Sequence, residues 1–468
     1  MNGPIRPLDL SSGFIAVTSP FDGSELGIVA DIPAGIAHLL IQAAKKGTRT
    51  CRRIPRHERA GILERCATRM LQDVKSLSDL IVAESGKTIT QATNDVLECV
   101  DTLRLSASEA RRNTGEVIPF DAYDGSSDRR GWFTRDPLGI IVVIASYCDP
   151  LASIARKLGP AIAGANAVIV KPSEYTPLSA IRLVNYLIAA GLPSEIVTVA
   201  TGGPALVEAL VSSRDVRMVS FGGGLNDAEK IASAGGLKRF AMDFDGTRSA
   251  IVMSDCELDT AIGSCISTAY GTASQSSVGI QHIFVQASIY EEFKNRFVAR
   301  TRTLVSGDPA SPATDVGPMI TVDVAERMKS LVDVAISQGA KMLCGNTRDG
   351  SVYTPTVLEN VCDEAELWQW EGLSPIAVLR CVHTLDEAIT LAAGMHRSDQ
   401  VNIFTRDMES ALDITENLQA AAVTFNDSPS YRCGAMRPRG GMLGKFGPER
   451  VRLAYEEMTQ TKVVCIRG

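Results

Sequence analysis

The sequence contains no apolar run long enough to cross a bilayer and no excess of basic residues. Its longest apolar stretches, such as Ile140–Ala145 and Ala420–Phe425, are far shorter than the roughly 20 residues that a membrane-spanning helix needs. The 54 acidic residues exceed the 47 lysines and arginines, and the net charge of −7 argues against a nucleic-acid-binding surface. We therefore expect neither a membrane nor a nucleic acid as a partner.

Paired-cysteine motifs and an export signal are also missing. The 11 cysteines are scattered, with no CxxC pair and an odd total, which favours reduced thiols over a disulfide framework. The first 13 residues have one arginine and lack the apolar segment of a secretory signal. The sequence thus predicts a cytoplasmic protein, and it offers no spacing to which we would assign a metal.

A chain of 468 residues with 45% hydrophobic and 22% charged residues is expected to form two or three globular domains. Apolar residues at i, i+3 and i+4 predict helices over Ala34–Thr48 and Arg56–Glu84. From Gly139 onward, short runs rich in Val and Ile alternate with amphipathic segments of helix length. These runs are Ile140–Ala145, Ala167–Lys171, Ile196–Ala200 and Arg217–Phe221. The alternation predicts a doubly wound parallel sheet that binds ligands at the carboxyl ends of its strands.

A second alternating region extends from about Ala250 to Asn426 and predicts a second α/β domain. Its strand candidates are Ile280–Gln286, Val378–Cys381 and Ala422–Phe425. Two strand-like pieces lie apart from both regions, at Tyr123–Arg135 and Lys462–Ile466. Such pieces either pair with a neighbouring subunit or form an internal hairpin, and the pattern favours neither.

Several motifs resemble the aldehyde dehydrogenase superfamily. They are Pro137–Ile144 (PLGIIVVI), Asp149–Leu151 (DPL) and the long run Lys157–Glu174 (KLGPAIAGANAVIVKPSE). The resemblance extends over nearly the whole chain, from Ser19–Ser24 (SPFDGS) to Tyr455–Thr459 (YEEMT). Within the superfamily, the sequence is most similar to a bacterial branch that acts on lactaldehyde, succinate semialdehyde and phosphonoacetaldehyde.

The resemblance implies two doubly wound α/β domains plus a β-strand oligomerisation arm. An NAD-binding domain would comprise residues 1–122 and 136–245, a catalytic domain residues 246–440, and the arm residues 123–135 and 441–468. It also implies a homodimer or homotetramer that uses NAD as its cofactor and a small-molecule aldehyde as its substrate.

The implied cofactor residues begin with Lys171 and Glu174, which match positions that contact the adenosine ribose hydroxyls. A carboxylate accepts hydrogen bonds from both hydroxyls and repels a 2′-phosphate, so Glu174 favours NAD over NADP. Tyr147 and Ser173 belong to the same predicted cofactor site. The alternative is that Ser173 or Glu174 merely caps the following helix.

A glycine-rich turn is predicted to face the cofactor's pyrophosphate, because glycines let the backbone approach phosphate at a helix N-terminus. Gly223 matches the family's first glycine. Gly224 stands where a hydroxyl donor is usual and Ala228 where a second glycine is usual, which weakens the match. Glu371 matches the glutamate that holds the nicotinamide ribose, although Leu-Ser follows Gly372 where Phe-Gly is usual.

Each of the three catalytic positions implied by the family carries a different residue here. Gln275 sets the register of the nucleophile motif, and Ser277 then occupies the position of the cysteine. A thiol with a pKa of about 8.5 is partly ionised near neutral pH, whereas an alcohol needs an adjacent base. Cys148, a poor hydrogen-bond donor, replaces the oxyanion-binding Asn. Asp243, one methylene shorter, replaces the general base Glu.

Residues near these positions have further possible roles. His282 would point away from Ser277 on a regular strand, so we interpret it as structural. Cys148 is either a relocated nucleophile or a small buried residue. An anionic substrate would have candidate anchors in the loop after Asn426, at Arg432, Arg437 and Arg439.

The resulting hypothesis is an NAD-dependent oxidoreductase whose thiolate chemistry is impaired or rewired. The rival hypotheses are a catalytically inactive protein that binds nucleotide or a protein partner, and a hydrolase that uses Ser277.

Overall fold

The computed structural model describes residues 13–112, 115–244, 247–275, 279–370, 373–395, 398–418, 420, 422–427 and 451–468. Its helices are α1 (Ala37–Arg53), α2 (Arg56–Gln72), α3 (Val74–Ser85), α4 (Ile89–Arg111), α5 (Ala152–Ala163), α6 (Pro177–Ala189), α7 (Pro204–Val211), α8 (Leu225–Gly235), α9 (Leu258–Tyr270), α10 (Tyr290–Thr301), α11 (Val322–Ser337), α12 (Leu385–Gly394), α13 (Met408–Asn417) and α14 (Val451–Glu457). None of the helices in these ranges is both long and apolar enough to cross a membrane.

The strands lie in two large sheets and several small ones. They are β1 (Gly13–Thr18), β2 (Glu25–Asp31), β3 (Glu116–Val117), β4 (Arg129–Pro137), β5 (Ile140–Ile144), β6 (Ala167–Lys171), β7 (Val197–Val199), β8 (Val216–Gly223), β9 (Arg239–Phe244), β10 (Thr247–Val252), β11 (His282–Gln286), β12 (Lys341–Cys344), β13 (Arg348–Asp349), β14 (Val352–Tyr353), β15 (Thr356–Glu359), β16 (Ile376–Val382), β17 (Ser398–Phe404), β18 (Ala422–Phe425) and β19 (Thr459–Arg467).

The first large sheet has the order β7-β6-β5-β8-β9, and all of its pairings are parallel. Strand β5 is buried along its whole length. Its residues alternate between two helical layers: Ile141 and Val143 pack in the core that includes α2 to α6, whereas Ile140 and Val142 pack in the core that includes α1, α7 and α8. Helices therefore cover both faces, and the predicted doubly wound α/β fold is confirmed.

The second large sheet has the order β12-β15-β16-β11-β10-β17-β18 and is parallel except for β12. The predicted strand Ala422–Phe425 has the predicted bounds, and Val378–Cys381 lies within the longer β16. This sheet has its own apolar core, in which Phe293 and Phe297 stack with ring centroids 5.5 Å apart. The prediction of a second α/β unit is thus confirmed.

The stretch Arg56–Glu84, predicted to be helical, consists of two helices. The chain forms two helices, α2 and α3, that meet at Asp73, whose φ of −106° and ψ of 20° leave the helical region. The apolar periodicity continues across this break because both helices pack against the same core through residues such as Met70 and Leu77. A periodic pattern reports the buried face and not the continuity of the backbone.

The two strand-like pieces outside the large sheets pair with each other within the chain. Strands β4 and β19 are antiparallel, with pairs that run from Pro137–Thr459 to Arg129–Arg467. With β3 they form a sheet of order β19-β4-β3. Trp132 and Val463 on this sheet are exposed. The predicted assembly of several subunits through this arm stays a prediction.

We predict that Gly47→Ala lowers the free energy of unfolding by about 1–3 kcal/mol, because overpacking of a filled contact costs this much. A Cβ at Gly47 in α1 would lie 1.9 Å from the backbone oxygen of Glu195, in the segment before β7. At Gly263 in α9 the nearest atom to an added Cβ is the flexible end of Arg300, at 3.5 Å. Gly263→Ala should therefore leave stability unchanged or raise it by about 0.5–1 kcal/mol, the helix-propensity gain over glycine. Urea unfolding of both variants measures the difference, and equal effects would contradict the packing argument.

Candidate active site

The carboxyl edge of the first sheet brings together most of the residues predicted from the sequence. Tyr147 and Cys148 follow β5, Ser173 and Glu174 follow β6, Gly224 follows β8, and Asp243 lies near the end of β9. Parallel strands have their carboxyl ends at the same edge of a sheet, so these residues lie along one edge. Ser277 and Glu371 lie outside the described residues, as do Arg432, Arg437 and Arg439.

At the end of β6, the Lys171 ammonium lies 2.6 Å from a Glu174 carboxylate oxygen. The side chain of Lys171 is 6% exposed and that of Glu174 is 39% exposed, so the carboxylate faces open space while its partner is buried. The backbone N–H groups of Leu178 and Ser179 at the start of α6 donate to Glu84, each at 2.9 Å. Glu84, and not Glu174, therefore caps this helix. Glu174 uses one carboxylate oxygen for Lys171, and its second oxygen can accept from another partner.

The turn after β6 is bordered by two aromatic rings. Tyr147 meets Tyr175 edge to face, with ring centroids 6.1 Å apart. The hydroxyl of Ser173 accepts a hydrogen bond from the backbone N–H of Tyr175 at 3.3 Å. Ser173 therefore shapes the turn, and Tyr147 packs against Tyr175 beside it.

Helix α8 begins immediately after the glycine-rich turn. A Cβ built on Gly224, at the N-cap position, would have no described heavy atom within 4 Å, so a ligand can approach the backbone there. At Gly223 an added Cβ would lie 2.8 Å from the ring of Phe221. The helix N-terminus favours an anion, but Asp227 in the first turn adds a negative charge that opposes one.

The positions of the oxyanion donor and the base are near the same edge. Cys148 is buried, with 9% of its surface exposed. Asp243 pairs in the β8–β9 ladder with Gly222, and the ammonium of the buried Lys157 lies 3.5 Å from where a Cβ on Gly222 would be. The buried ammonium of Lys157 thus lies next to the residue that is paired with Asp243. Lys157 lies inside the family motif quoted above, yet its position in the sequence did not indicate a role.

The segment before Ser277 has an unusual backbone. Thr272, Ala273 and Ser274 adopt φ angles of 54°, 50° and 54°, a left-handed conformation that residues other than glycine rarely occupy. Strain of this kind persists only where the surroundings impose it. Here Gln275 does so, because its side chain donates to the carbonyl of Pro318 at 3.0 Å and accepts from the N–H of Ile320 at 2.9 Å.

A buried group of charged side chains next to Cys148 was not predicted from the sequence. Lys87, just before α4, forms an ion pair with Asp149 and lies 3.5 Å from Asp95 on α4. Arg156 on α5 contacts Asp149 at 3.4 Å and Glu98 at 2.6 Å. Burial alone would lower the pKa of Lys87, but Asp149 and Asp95 outweigh it and raise the pKa above its usual value. The ammonium of Lys87 is therefore charged near neutral pH.

His282 has no feature of a catalytic base. It is buried in β11 and meets Trp368 edge to face, with ring centroids 4.6 Å apart. Burial, helped by the positive charge of Arg380, lowers the pKa of His282 to about 3. The ring is neutral near pH 7 and fits the structural interpretation.

The doubly wound sheet with its Lys–Glu turn, the second large sheet and the β-strand arm together define an α/β architecture of the aldehyde dehydrogenase type. The aldehyde dehydrogenase family model matches residues 9–464, and the chain belongs to this family.

Individual relatives cover almost the whole chain. The chain is 50% identical over 452 residues to an aspartate-semialdehyde dehydrogenase of Pseudomonas canavaninivorans, covering 97% of the chain and 96% of that protein. It is 50% identical to the aldehyde-dehydrogenase-like protein y4uC of Sinorhizobium fredii, covering 97% and 88%. A solved structure of glyceraldehyde-3-phosphate dehydrogenase from Methanocaldococcus jannaschii, in complex with NADP, matches with a TM-score of 0.92 at 29% identity and covers 97% and 99%.

We predict that Lys87→Met lowers the free energy of unfolding by about 3–5 kcal/mol, because it leaves buried carboxylates without their cation. The matched control is Lys75→Met: Lys75 is 89% exposed and pairs with Asp79 one helical turn away. The loss of such a surface pair should cost no more than about 0.5 kcal/mol. Chemical unfolding of both variants tests this, and a Lys87 variant as stable as the control would mean that the buried pairs contribute nothing.

Proposed function

We propose that this chain binds NAD in preference to NADP together with a small polar aldehyde, and that its redox chemistry is impaired or rewired. The Lys171–Glu174 pair at 2.6 Å is the observation that carries the cofactor assignment. The substrate class is supported by the name of the Pseudomonas relative, an aspartate-semialdehyde dehydrogenase at 50% identity.

The residues of the first sheet fit a nicotinamide dinucleotide. Glu174, half-exposed and free of a capping role, would accept hydrogen bonds from the adenosine ribose, with Lys171 beside it and Ser173 shaping the turn. The open backbone at Gly224, directly after Gly223, would receive the pyrophosphate. Bound in this way, the cofactor would supply a hydride acceptor. A 2′-phosphate would meet the Glu174 carboxylate, which is the physical reason for the preference for NAD.

The altered catalytic positions argue against ordinary thiolate turnover. Ser277 does not ionise appreciably near neutral pH. Cys148 donates a hydrogen bond weakly, and Asp243 has a shorter reach than the family's glutamate. The same three changes favour a second candidate function, an inactive member that binds nucleotide or a protein partner.

The proposal also assigns a role to each domain. Residues 1–122 and 136–245 would hold the cofactor, residues 246–440 would carry Ser277, and residues 123–135 and 441–468 would form the oligomerisation arm. The pairing of β4 with β19, an outer strand of its sheet, supports a homodimer or homotetramer.

We predict that NAD binds at least about tenfold more tightly than NADP, a difference of about 1.4 kcal/mol, and that Glu174→Gln narrows this ratio by removing the charge that repels the 2′-phosphate. Isothermal titration calorimetry measures both affinities. Glu229→Gln, an exposed glutamate on α8, is the control and should keep the ratio. Tighter binding of NADP would refute the role of Glu174, and no heat with either nucleotide at millimolar concentration would favour the inactive alternative.

We predict that Ser277→Cys gives a single-turnover burst of NADH with a small aldehyde, because only the thiol ionises appreciably near neutral pH. Adding Cys148→Asn should raise the burst rate further, on the order of 10²- to 10³-fold, the usual worth of one oxyanion donor. Adding Asp243→Glu should mainly speed deacylation. Stopped-flow absorbance separates these effects. Brisk oxidation by the unaltered chain that Cys148→Ser abolishes would instead make Cys148 the nucleophile.

A further inference from the structure

The charged cluster formed by Lys87, Asp95, Glu98, Asp149 and Arg156 adjoins the predicted oxyanion position. Asp149 directly follows Cys148, and Arg156 lies on α5, the helix that begins after the same turn. Cys148 itself adds an electrostatic contribution to Lys87. In the proposed function, the cluster is therefore next to the residue at the oxyanion-binding position, where the aldehyde oxygen would be held.

Stability alone explains this cluster poorly. Lys87 and Asp95 have side chains that are 7% and 1% exposed, and burying paired charges rarely stabilises a fold more than apolar residues would. Strongly perturbed ionisable groups in a cleft are more typical of functional sites. The cluster is thus a candidate for ligand recognition.

Its members differ in the exposure of their side chains. Asp95 is engaged by Lys87 and by the backbone N–H of Ala152, which donates to it at 2.7 Å. Lys87 holds one oxygen of Asp149. Asp149 and Arg156 are more open, with side chains 21% and 11% exposed. The contact between them, at 3.4 Å, is long for a charged hydrogen bond, which usually measures about 2.7–2.9 Å.

We propose that Asp149 and Arg156 together recognise an aldehyde that carries an ammonium and a carboxylate on the same carbon, that is, an α-amino-acid aldehyde. The Asp149 oxygen that faces Arg156 would accept hydrogen bonds from the ammonium, and the Arg156 guanidinium would donate to the carboxylate. Because this acceptor and donor are only 3.4 Å apart, two groups on one carbon reach both. This inference rests on the proposed function, since it names the substrate class of that site.

The charge balance of the cluster favours a zwitterion over a purely anionic ligand. Among the residues that the structure describes, three carboxylates, on Asp95, Glu98 and Asp149, face two cations, on Lys87 and Arg156. With one net negative charge, the group attracts an ammonium while Arg156 still offers a site for one carboxylate. A ligand with two carboxylates and no ammonium would leave Asp149 opposed to a like charge.

The test uses three stable acids that share the carboxylate produced by aldehyde oxidation. L-aspartate carries both an ammonium and a carboxylate on the next-but-one carbon, succinate lacks the ammonium, and β-alanine lacks the second carboxylate. Calorimetry with the full chain, first with NAD alone and then with each acid at saturating NAD, should show L-aspartate binding at least about tenfold more tightly than the other two, the scale of one charged hydrogen bond.

Two variants then separate the two contacts. Asp149→Asn should weaken the binding of L-aspartate and of β-alanine by about tenfold. The affinity for succinate should change by less than about twofold. Arg156→Gln should weaken the binding of L-aspartate and of succinate and leave the affinity for β-alanine unchanged. The controls are Arg104→Gln and Asp101→Asn, an exposed pair on α4, which should change none of the affinities.

The outcomes are distinguishable from one another. Equal binding of the three acids to the unaltered chain would overturn the proposal, even if the variants failed to fold in thermal unfolding followed by circular dichroism. The proposal would also be overturned if the Asp149 variant lost as much affinity for succinate as for L-aspartate. If titration with NAD gave no heat but L-aspartate still bound more tightly than the other two acids, the cofactor assignment would be refuted. The proposed amino-acid site would then be supported independently.

Discussion

Strand β5 is the element on which the candidate site depends. It is buried on both faces, paired with β6 on one side and β8 on the other, so its carboxyl end cannot move without disrupting two ladders. The chain leaves this end through Tyr147, Cys148 and Asp149 before α5 begins. A rigid strand that ends in a short turn gives these side chains fixed positions, as recognition and catalysis both require.

In the proposed function, this chain keeps the scaffold of the family while its catalytic positions carry different residues. The parts that position ligands are present: the Lys171–Glu174 pair, the open turn at Gly224 and the buried Gln275 that holds the segment before Ser277. The exchanged positions in that proposal are those of the nucleophile, the oxyanion donor and the general base. Binding and turnover rest on different residues, so a change in one set need not disturb the other.

Local patterns were sufficient to predict most of this fold. Ala167–Lys171 and Ala422–Phe425 have their predicted bounds because short apolar runs between turns define buried strands well. The break at Asp73 leaves no signal in the apolar periodicity, because both helices pack against the same core. The contact of Lys87 with Asp149 joins residues 62 positions apart, and no spacing in the sequence reports it. Charged residues in a sequence are usually solvated, so only the folded chain distinguishes this pair from a surface one.

The turn from Glu84 to Lys87 connects the separate parts of the site. Glu84 is buried, which raises its pKa to about 7, and it caps α6 just after the Glu174 turn. Gly86 adopts a φ of +73°, and an added Cβ would lie 2.7 Å from Pro318, the residue whose carbonyl accepts from Gln275. Lys87 then holds Asp149. Glu84 thus contacts the start of α6, Gly86 lies near Pro318, and Lys87 contacts the charged cluster. A single turn therefore connects these three parts of the structure.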